Sequence, residues 1–347
     1  MEAAVIVSLN FNPGHVSHLV ANYQQMEELG YEAVYYVAEG FVPYLSQDSR
    51  IYVYGKDKAI YGAVAIFLFP SHKNLLLIHK MRRQGTKIIY IFHEPLAPMK
   101  EYREAGFSFA YLLKLWLINQ ISCLTVKWSD VVLLPSKRAM AFYHANPQYA
   151  NERVYCLPLL YDDERVVRLS DNQRLYFSYI GTIAADHSFT EYVKFVEWAI
   201  KENKLPKLKF LIATKSQFEV SKVLAESSRV IIKKGRPMSN DEINEYYATS
   251  FVVWNAYART TQSGVLVKSL MFGTPAIVLR KNLSEFIVDG QEVVAIDDNT
   301  SFEIIEQAVL RITSDFGHYS SSARKCFEDK FYYRKYNEIF MKILESI

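Results

Sequence analysis

Residues 3–37 read AAVIVSLNFNPGHVSHLVANYQQMEELGYEAVYYV. An apolar run over 3–9 breaks at Asn10-Phe11-Asn12-Pro13-Gly14, and from His15 the apolar positions move to helical spacing through Leu19, Tyr23 and Met26. The helix stops at Leu29-Gly30, where a glycine can take the left-handed conformation that ends a helix. A second apolar run over 31–37 follows at once. Strand, helix, strand in so short a span is a βαβ unit, whose strands run parallel and are covered by the connecting helix.

Working outward, the alternation continues with strands over 51–54, 64–69, 87–92 and 131–134, and helices near 73–83 and 102–126. Residues 154–162 lead into a polar stretch, 163–174, with no strong core pattern, where a hinge is expected. A second α/β series follows, with strands over 175–180, 207–213, 230–232, 251–254, 276–279 and 293–296. A chain of 347 residues exceeds one ordinary core and suggests two domains. The expected division is 1–162 and 170–330. The amphipathic stretch 331–347 is expected as one long helix that returns to complete the first domain.

Composition removes several classes. Half the residues are apolar and 22% are charged, a globular balance. The three cysteines have no metal-ligand or disulfide spacing, and the N-terminus lacks the basic region of a secretory signal, so a cytoplasmic location is expected. A net charge of +3 is too small to point to nucleic acid, although Lys80, Arg82, Arg83 and Lys87 cluster near one helix end. The 25 Tyr and 21 Phe suit contact with sugars or a membrane interface, and equally a compositional bias. Nothing in the sequence indicates an oligomeric state.

Two local features carry chemistry on their own terms. Thr261-Gln262-Ser263-Gly264 precedes a helix running to Phe272, whose first N–H groups and dipole would favour an anion such as a nucleotide diphosphate. Read plainly, it is an N-capped helix with Ser or Thr as cap. His93 follows the strand over 87–92, and open parallel sheets place their ligand crevice at such strand ends, so His93 is expected to bond a sugar or diphosphate or to move the acceptor's proton. Glu94 beside it is a candidate base or an ordinary exposed carboxylate. Gly14 serves either the turn after the first strand or close approach to a donor phosphate.

Four landmarks in order resemble the two-domain GT-B fold, and within it glycosyltransferase family four. They are Asn12-Pro13-Gly14-His15 with the following helix and strand; Ile88-Ile89-Tyr90-Ile91-Phe92-His93-Glu94; Ser129-Asp130-Val131-Val132-Leu133-Leu134-Pro135-Ser136; and the series from Gly235-Arg236-Pro237 through Ser263-Gly264-Val265-Leu266, Phe272-Gly273-Thr274-Pro275 and Glu285 to Gly290. The resemblance spans nearly the whole chain. It implies α/β architecture of two Rossmann-like domains with parallel sheets facing a central cleft, the first binding acceptor and the second binding a nucleotide sugar. It further implies transfer of a hexosyl unit, by default from a uridine diphosphate sugar, to a hydroxyl of a lipid-linked or protein-linked glycan, with no metal and no other cofactor.

The sequence departs from the family pattern at instructive places. Thr260 and Lys268 stand where retaining members carry two glutamates, Thr182 where the family has an arginine, and His187 where it has a lysine. Positive charge for the diphosphate is then expected from Arg259, Lys215 or Lys268, and Glu285 is expected to orient the donor loop. The altered acid pair keeps open a non-catalytic GT-B partner subunit, and a nucleotide-sugar epimerase or a phosphorylase is the enzymatic alternative. The helix near 102–126 is expected to be too interrupted to span a bilayer. With Arg103, Lys114 and Lys127 it suits either peripheral contact with an anionic membrane, at the inner face of the cell membrane, or a buried core position.

Overall fold

The computed structural model describes residues 2–165 and 174–347, which form two compact units: one of residues up to Asp162 joined by Phe331–Ile347, the other Asp163–Lys330. Part of the expected hinge, 166–173, lies outside the described residues.

The first unit runs β1 (Ala3–Ser8), α1 (Val16–Glu28), β2 (Glu32–Val37), β3 (Ile51–Val53), β4 (Val64–Leu68), α2 (His72–Arg83), β5 (Lys87–Ile91), α3 (Met99–Glu104), α4 (Phe109–Trp128), β6 (Val131–Leu134), α5 (Lys137–Ala145) and β7 (Val154–Cys156). Among the described residues its strands form one seven-stranded sheet ordered β3-β2-β1-β4-β5-β6-β7, paired in parallel throughout. Strand residues alternate between two cores. Ala4 and Ile6 face α1, while Val5 and Val7 face α2, and all four are fully buried. Burial on both faces explains why the strands read as unbroken apolar runs. Each large apolar side chain so placed contributes about 1.5–3 kcal/mol.

The second unit runs β8 (Tyr176–Ile180), α6 (Phe189–Lys201), β9 (Lys209–Thr214), α7 (Lys222–Glu226), β10 (Val230–Lys234), α8 (Asn240–Thr249), β11 (Ser250–Asn255), α9 (Gly264–Met271), β12 (Ala276–Leu279), β13 (Val293–Ile296), α10 (Phe302–Ser314) and α11 (Phe316–Lys330). Its six-stranded parallel sheet, again among the described residues, is ordered β10-β9-β8-β11-β12-β13. Both sheets therefore grow outward in two directions from a central strand pair, β1/β4 in one and β8/β11 in the other. At such a pair the loops leaving adjacent strands diverge and open a crevice.

Helix starts follow local chemistry. Ser71, Ser108, Ser136, Ser221, Ser239 and Ser263 each cap a helix through the side-chain oxygen, and Ser239 with Glu242 forms a full capping box. Two expectations are corrected. The helix expected over 102–126 is two helices, α3 and α4, because Ala105-Gly106 ends the first and Ser108 caps the second. The stretch 331–347 is a 3-10 turn over Tyr333–Tyr336 followed by α12 (Asn337–Glu345), whose Phe340, Ile343 and Leu344 join the core of the first unit. Tyr333, Arg334 and Asn337 all donate to the Glu28 carboxylate at the end of α1, at 2.6, 2.7 and 3.0 Å, fastening that segment in place. The aromatic richness goes largely into cores: Tyr35, Tyr90, Tyr161, Tyr179, Tyr192 and Tyr333 are among the largest fully buried side chains.

Candidate functional site

The central pair of the second sheet gathers most of the residues singled out in the sequence. After β8 the chain passes Gly181 at φ 138° and closes a tight loop in which Tyr179 Oη, at 2.9 Å, donates to the Thr182 carbonyl. His187 Nδ1 lies 2.6 Å from that same carbonyl, and since a carbonyl only accepts, Nδ1 carries the proton and Nε2 is directed elsewhere, 3.7 Å from Asp186 Oδ1. The His187 ring lies flat against Tyr257, with centroids 4.1 Å apart and planes at 6°. Ala258 N–H donates to the Asp186 carbonyl at 2.7 Å. The loop after β8 is thus fixed to the loop after β11, across the crevice.

The loop after β11 carries Arg259, Thr261, Gln262 and Ser263, all buried, into the start of α9. Ser263 Oγ accepts from Leu266 N–H at 3.3 Å and from Asn255 Nδ2 at 2.8 Å, and the Ser263 carbonyl takes the Val267 N–H. The amides of Gly264 and Val265 then have no acceptor within the helix, and Gly264 is exposed. A side chain added at Gly181 would lie 3.4 Å from Val265 Cγ2 and 3.8 Å from Tyr257 Oη, so the β8 turn sits directly against this helix start. Only glycine takes that φ readily and leaves the space open. Tyr257 Oη is buried near Ser263 and Asn255 with neither making a hydrogen bond of ordinary geometry to it, and burial raises its pKa. The arrangement offers two backbone donors, a helix dipole and an unmatched phenol to one anion.

Other sequence candidates stand around this group. Lys215 is exposed at the end of β9, next to Ser216, whose Oγ accepts Ile183 N–H at 3.2 Å. Glu285 is exposed in the loop after β12, which Asn282 ties to the Tyr257 carbonyl at 2.5 Å. Lys268 is expected to face phosphate, yet its ammonium lies 3.0 Å from Glu164 Oε2, a carboxylate that also accepts from Asn240 and Asn244 of α8. A cation so compensated has little charge left for a second anion. Arg236 is likewise matched, by Glu242, which it holds at a pKa of about 2.

The central pair of the first sheet has a different character. Asn12 caps a 3-10 turn at Pro13–His15 and accepts from Gly14 N–H. Gly14 is exposed, its φ is not positive and an added side chain would meet only ordinary contact, so the fold itself does not require glycine there. His15 stacks on Phe69 with centroids 3.4 Å apart, His93 meets the same ring edge-on at 5.6 Å, and His18 lies 6.0 Å away. Phe69 follows β4 at φ 66°, a left-handed conformation costing a bulky residue about 1–3 kcal/mol, and Asn74 Nδ2 holds its carbonyl at 2.9 Å. His93 is part-buried beyond β5, and Glu94 is exposed beside it. Tyr257, Asn255 and Asp186 in the second unit, and His15 and Phe69 in the first, were not assigned roles from sequence. Their contacts join positions far apart in the chain, and the only local cue was the strand-to-loop transition each one occupies.

No family model matches the chain, and no curated protein matches it by sequence. Solved structures match it along its full length. Sucrose-phosphate synthase from Thermosynechococcus elongatus gives a TM-score of 0.71 at 11% identity, covering 100% of this chain and 99% of that one. HepE from Anabaena in complex with UDP and glucose gives 0.73 at 12% identity, covering 100% of each. A glycosyltransferase from Rickettsia africae gives 0.71 at 9% identity, covering 99% of this chain and 98% of that one. At such identities the likeness establishes the fold, and the fold is GT-B.

Proposed function

We propose that the chain is a divergent relative of glycosyltransferase family four that moves a hexosyl unit from a nucleoside-diphosphate sugar to a hydroxyl of a lipid-linked or protein-linked glycan, in the cytoplasm and without a metal ion. The observation that carries this reading is the start of α9, where the Gly264 and Val265 amides lack an acceptor in the helix and Val265 lies beside the Gly181 turn at the centre of a parallel sheet. A diphosphate leaving group needs its developing charge met in the transition state, and oriented backbone donors with a helix dipole supply that without a cation. HepE has been crystallised with UDP-glucose and with UDP. That supports a uridine diphosphate sugar as the donor.

In this reading the second unit binds donor. Gly264 and Ser263 take the phosphates with Arg259 and Lys215, while Thr182, His187, Thr261 and Gln262 shape the pocket and Glu285 orients the loop after β12. His187 presents Nε2 because Thr182 holds Nδ1, which suits it to a sugar hydroxyl or a phosphate oxygen. The first unit binds acceptor. Gly14 admits close approach, and His93, with Glu94, bonds the transferring group or takes the acceptor's proton. The test is turnover by purified protein with uridine diphosphate sugars and glycan acceptors in the presence of a chelator. Transfer supports the reading, and a strict need for added divalent metal contradicts its metal-free form.

A non-catalytic partner subunit is the second reading. One observation favours it: the position of a family glutamate holds Lys268, whose charge is spent on Glu164. Turnover by the purified chain alone eliminates it.

A further inference from the structure

Helix α4 is built inside out. The face packed on the first unit carries Asn119, Ser122 and Thr125 with Leu112 and Val126, all buried. Ser122 and Thr125 satisfy their hydroxyls on the carbonyls of Ile118 and Ile121, at 3.2 and 2.9 Å, and Asn119 bonds Tyr149 and Gln148. The opposite face is open and apolar except at the half-buried Gln120: Phe109 is 78% exposed, Leu113 53%, Trp116 48%, Leu117 53% and Leu124 43%. Steps of three, four or seven residues keep these side chains on one stripe about 23 Å long. A helix whose outer face meets water has the reverse polarity.

Charge continues the pattern. Helix α4 contains no acidic residue, and its stripe ends at Lys127. There Lys127 and Trp128, with His79, Arg82 and Arg83 from the end of α2, line a pocket of about 370 Å³. Arg82 donates to the Trp128 carbonyl at 2.5 Å, which fixes the pocket wall, and Lys80 lies in the same last turn of α2. An apolar stripe flanked by an aromatic and a set of cations complements one surface, an anionic phospholipid monolayer.

We propose that α4 docks on such a membrane surface, its stripe in the acyl boundary and the basic pocket holding a lipid phosphate. Helix α4 has the length and composition to cross a bilayer, contrary to the expectation from its sequence. Its other face is packed on the first unit along most of its length, so it lies in the interface plane. The proposal stands whether or not the chain transfers sugar.

The test is flotation of the full chain with phosphatidylcholine vesicles, with and without phosphatidylglycerol. The chain floats with the mixed vesicles and much less with phosphatidylcholine alone. Leu113→Glu with Leu117→Glu, both at exposed positions, abolishes flotation while keeping the thermal midpoint. Arg83→Glu with Lys127→Glu weakens it by at least about 25-fold, from about fivefold for each basic charge near the surface. No flotation with phosphatidylglycerol, or flotation untouched by both double variants, overturns the proposal. So does a dimer in solution that Leu113→Glu with Leu117→Glu dissociates, since a second copy would then cover the stripe.

Discussion

The two sheets share one topology and end in different chemistry. In each, the segments leaving a central strand pair meet beyond the sheet, β1 with β4 through His15 and Phe69, and β8 with β11 through His187 and Tyr257. At β8/β11 the crevice is lined with backbone donors at Gly264 and Val265, a buried phenol at Tyr257 and a glycine turn at Gly181. At β1/β4 three imidazoles, His15, His18 and His93, surround one strained phenylalanine. The strand order is shared, and the residues beyond it differ: donors suited to an anion at one pair, imidazoles at the other.

The comparison is broken most directly at its imidazole end. His93→Ala is expected to lower turnover by about 10²-fold, the range for losing a general catalyst, with little change in thermal midpoint. A readily unfolding variant, or one with parental turnover, would make His93 a structural histidine. At the anion end, Arg259→Ala is expected to weaken nucleoside-diphosphate binding by about 1.5–3 kcal/mol, the value of a charge-assisted bond. Arg236→Ala is the control, since its guanidinium is exposed and occupied by Glu242. Equal losses in calorimetric titrations of the two variants would remove Arg259 from the site.

Tyr257→Phe sharpens the same end. Its hydroxyl is buried with no bond of ordinary geometry, so its loss should cost the protein no stability and, if that oxygen meets ligand, about fivefold in nucleotide affinity. A drop in thermal midpoint with unchanged affinity would make it a structural hydroxyl.

The smallest effect concerns how the C-terminal segment is fastened to the end of α1 in the first unit. Burial works against the charged form of Glu28, yet donors from Tyr333, Arg334 and Asn337 outweigh it and lower its pKa. A depressed carboxyl stabilises the fold above the unfolded pKa of about 4.3, and that contribution is lost as pH falls through the folded value. Glu28→Gln should therefore be less stable than the parent at neutral pH, with the gap narrowing as urea melts are taken from about pH 5 downward. A gap constant with pH would show that Glu28 acts without its charge.

Much of the fold was legible because its signals are local. The βαβ opening, the strand runs and the start of α9 are set by residues within one or two turns of each other, and a parallel strand buried on both faces announces itself as an apolar run. The unit that Phe331–Ile347 completes was legible in outline, although the 3-10 turn was not. The missed features are pairings across long sequence separation. His187 finds Tyr257, and Lys268 finds Glu164, through the folding of the sheet and not through spacing. Helix α4 shows the same limit, since apolar residues all around its sequence hide that the small polar ones face inward.

The central claim is that the β8/β11 crevice binds a nucleoside diphosphate through its phosphates. Calorimetric titration of the full chain with UDP and, separately, with uridine tests it most directly. The account predicts saturable binding of UDP at one site per chain and far weaker binding of uridine, because the Gly264 and Val265 amides have nothing to hold without phosphate. Absence of UDP binding, or uridine binding as tight as UDP, would contradict it.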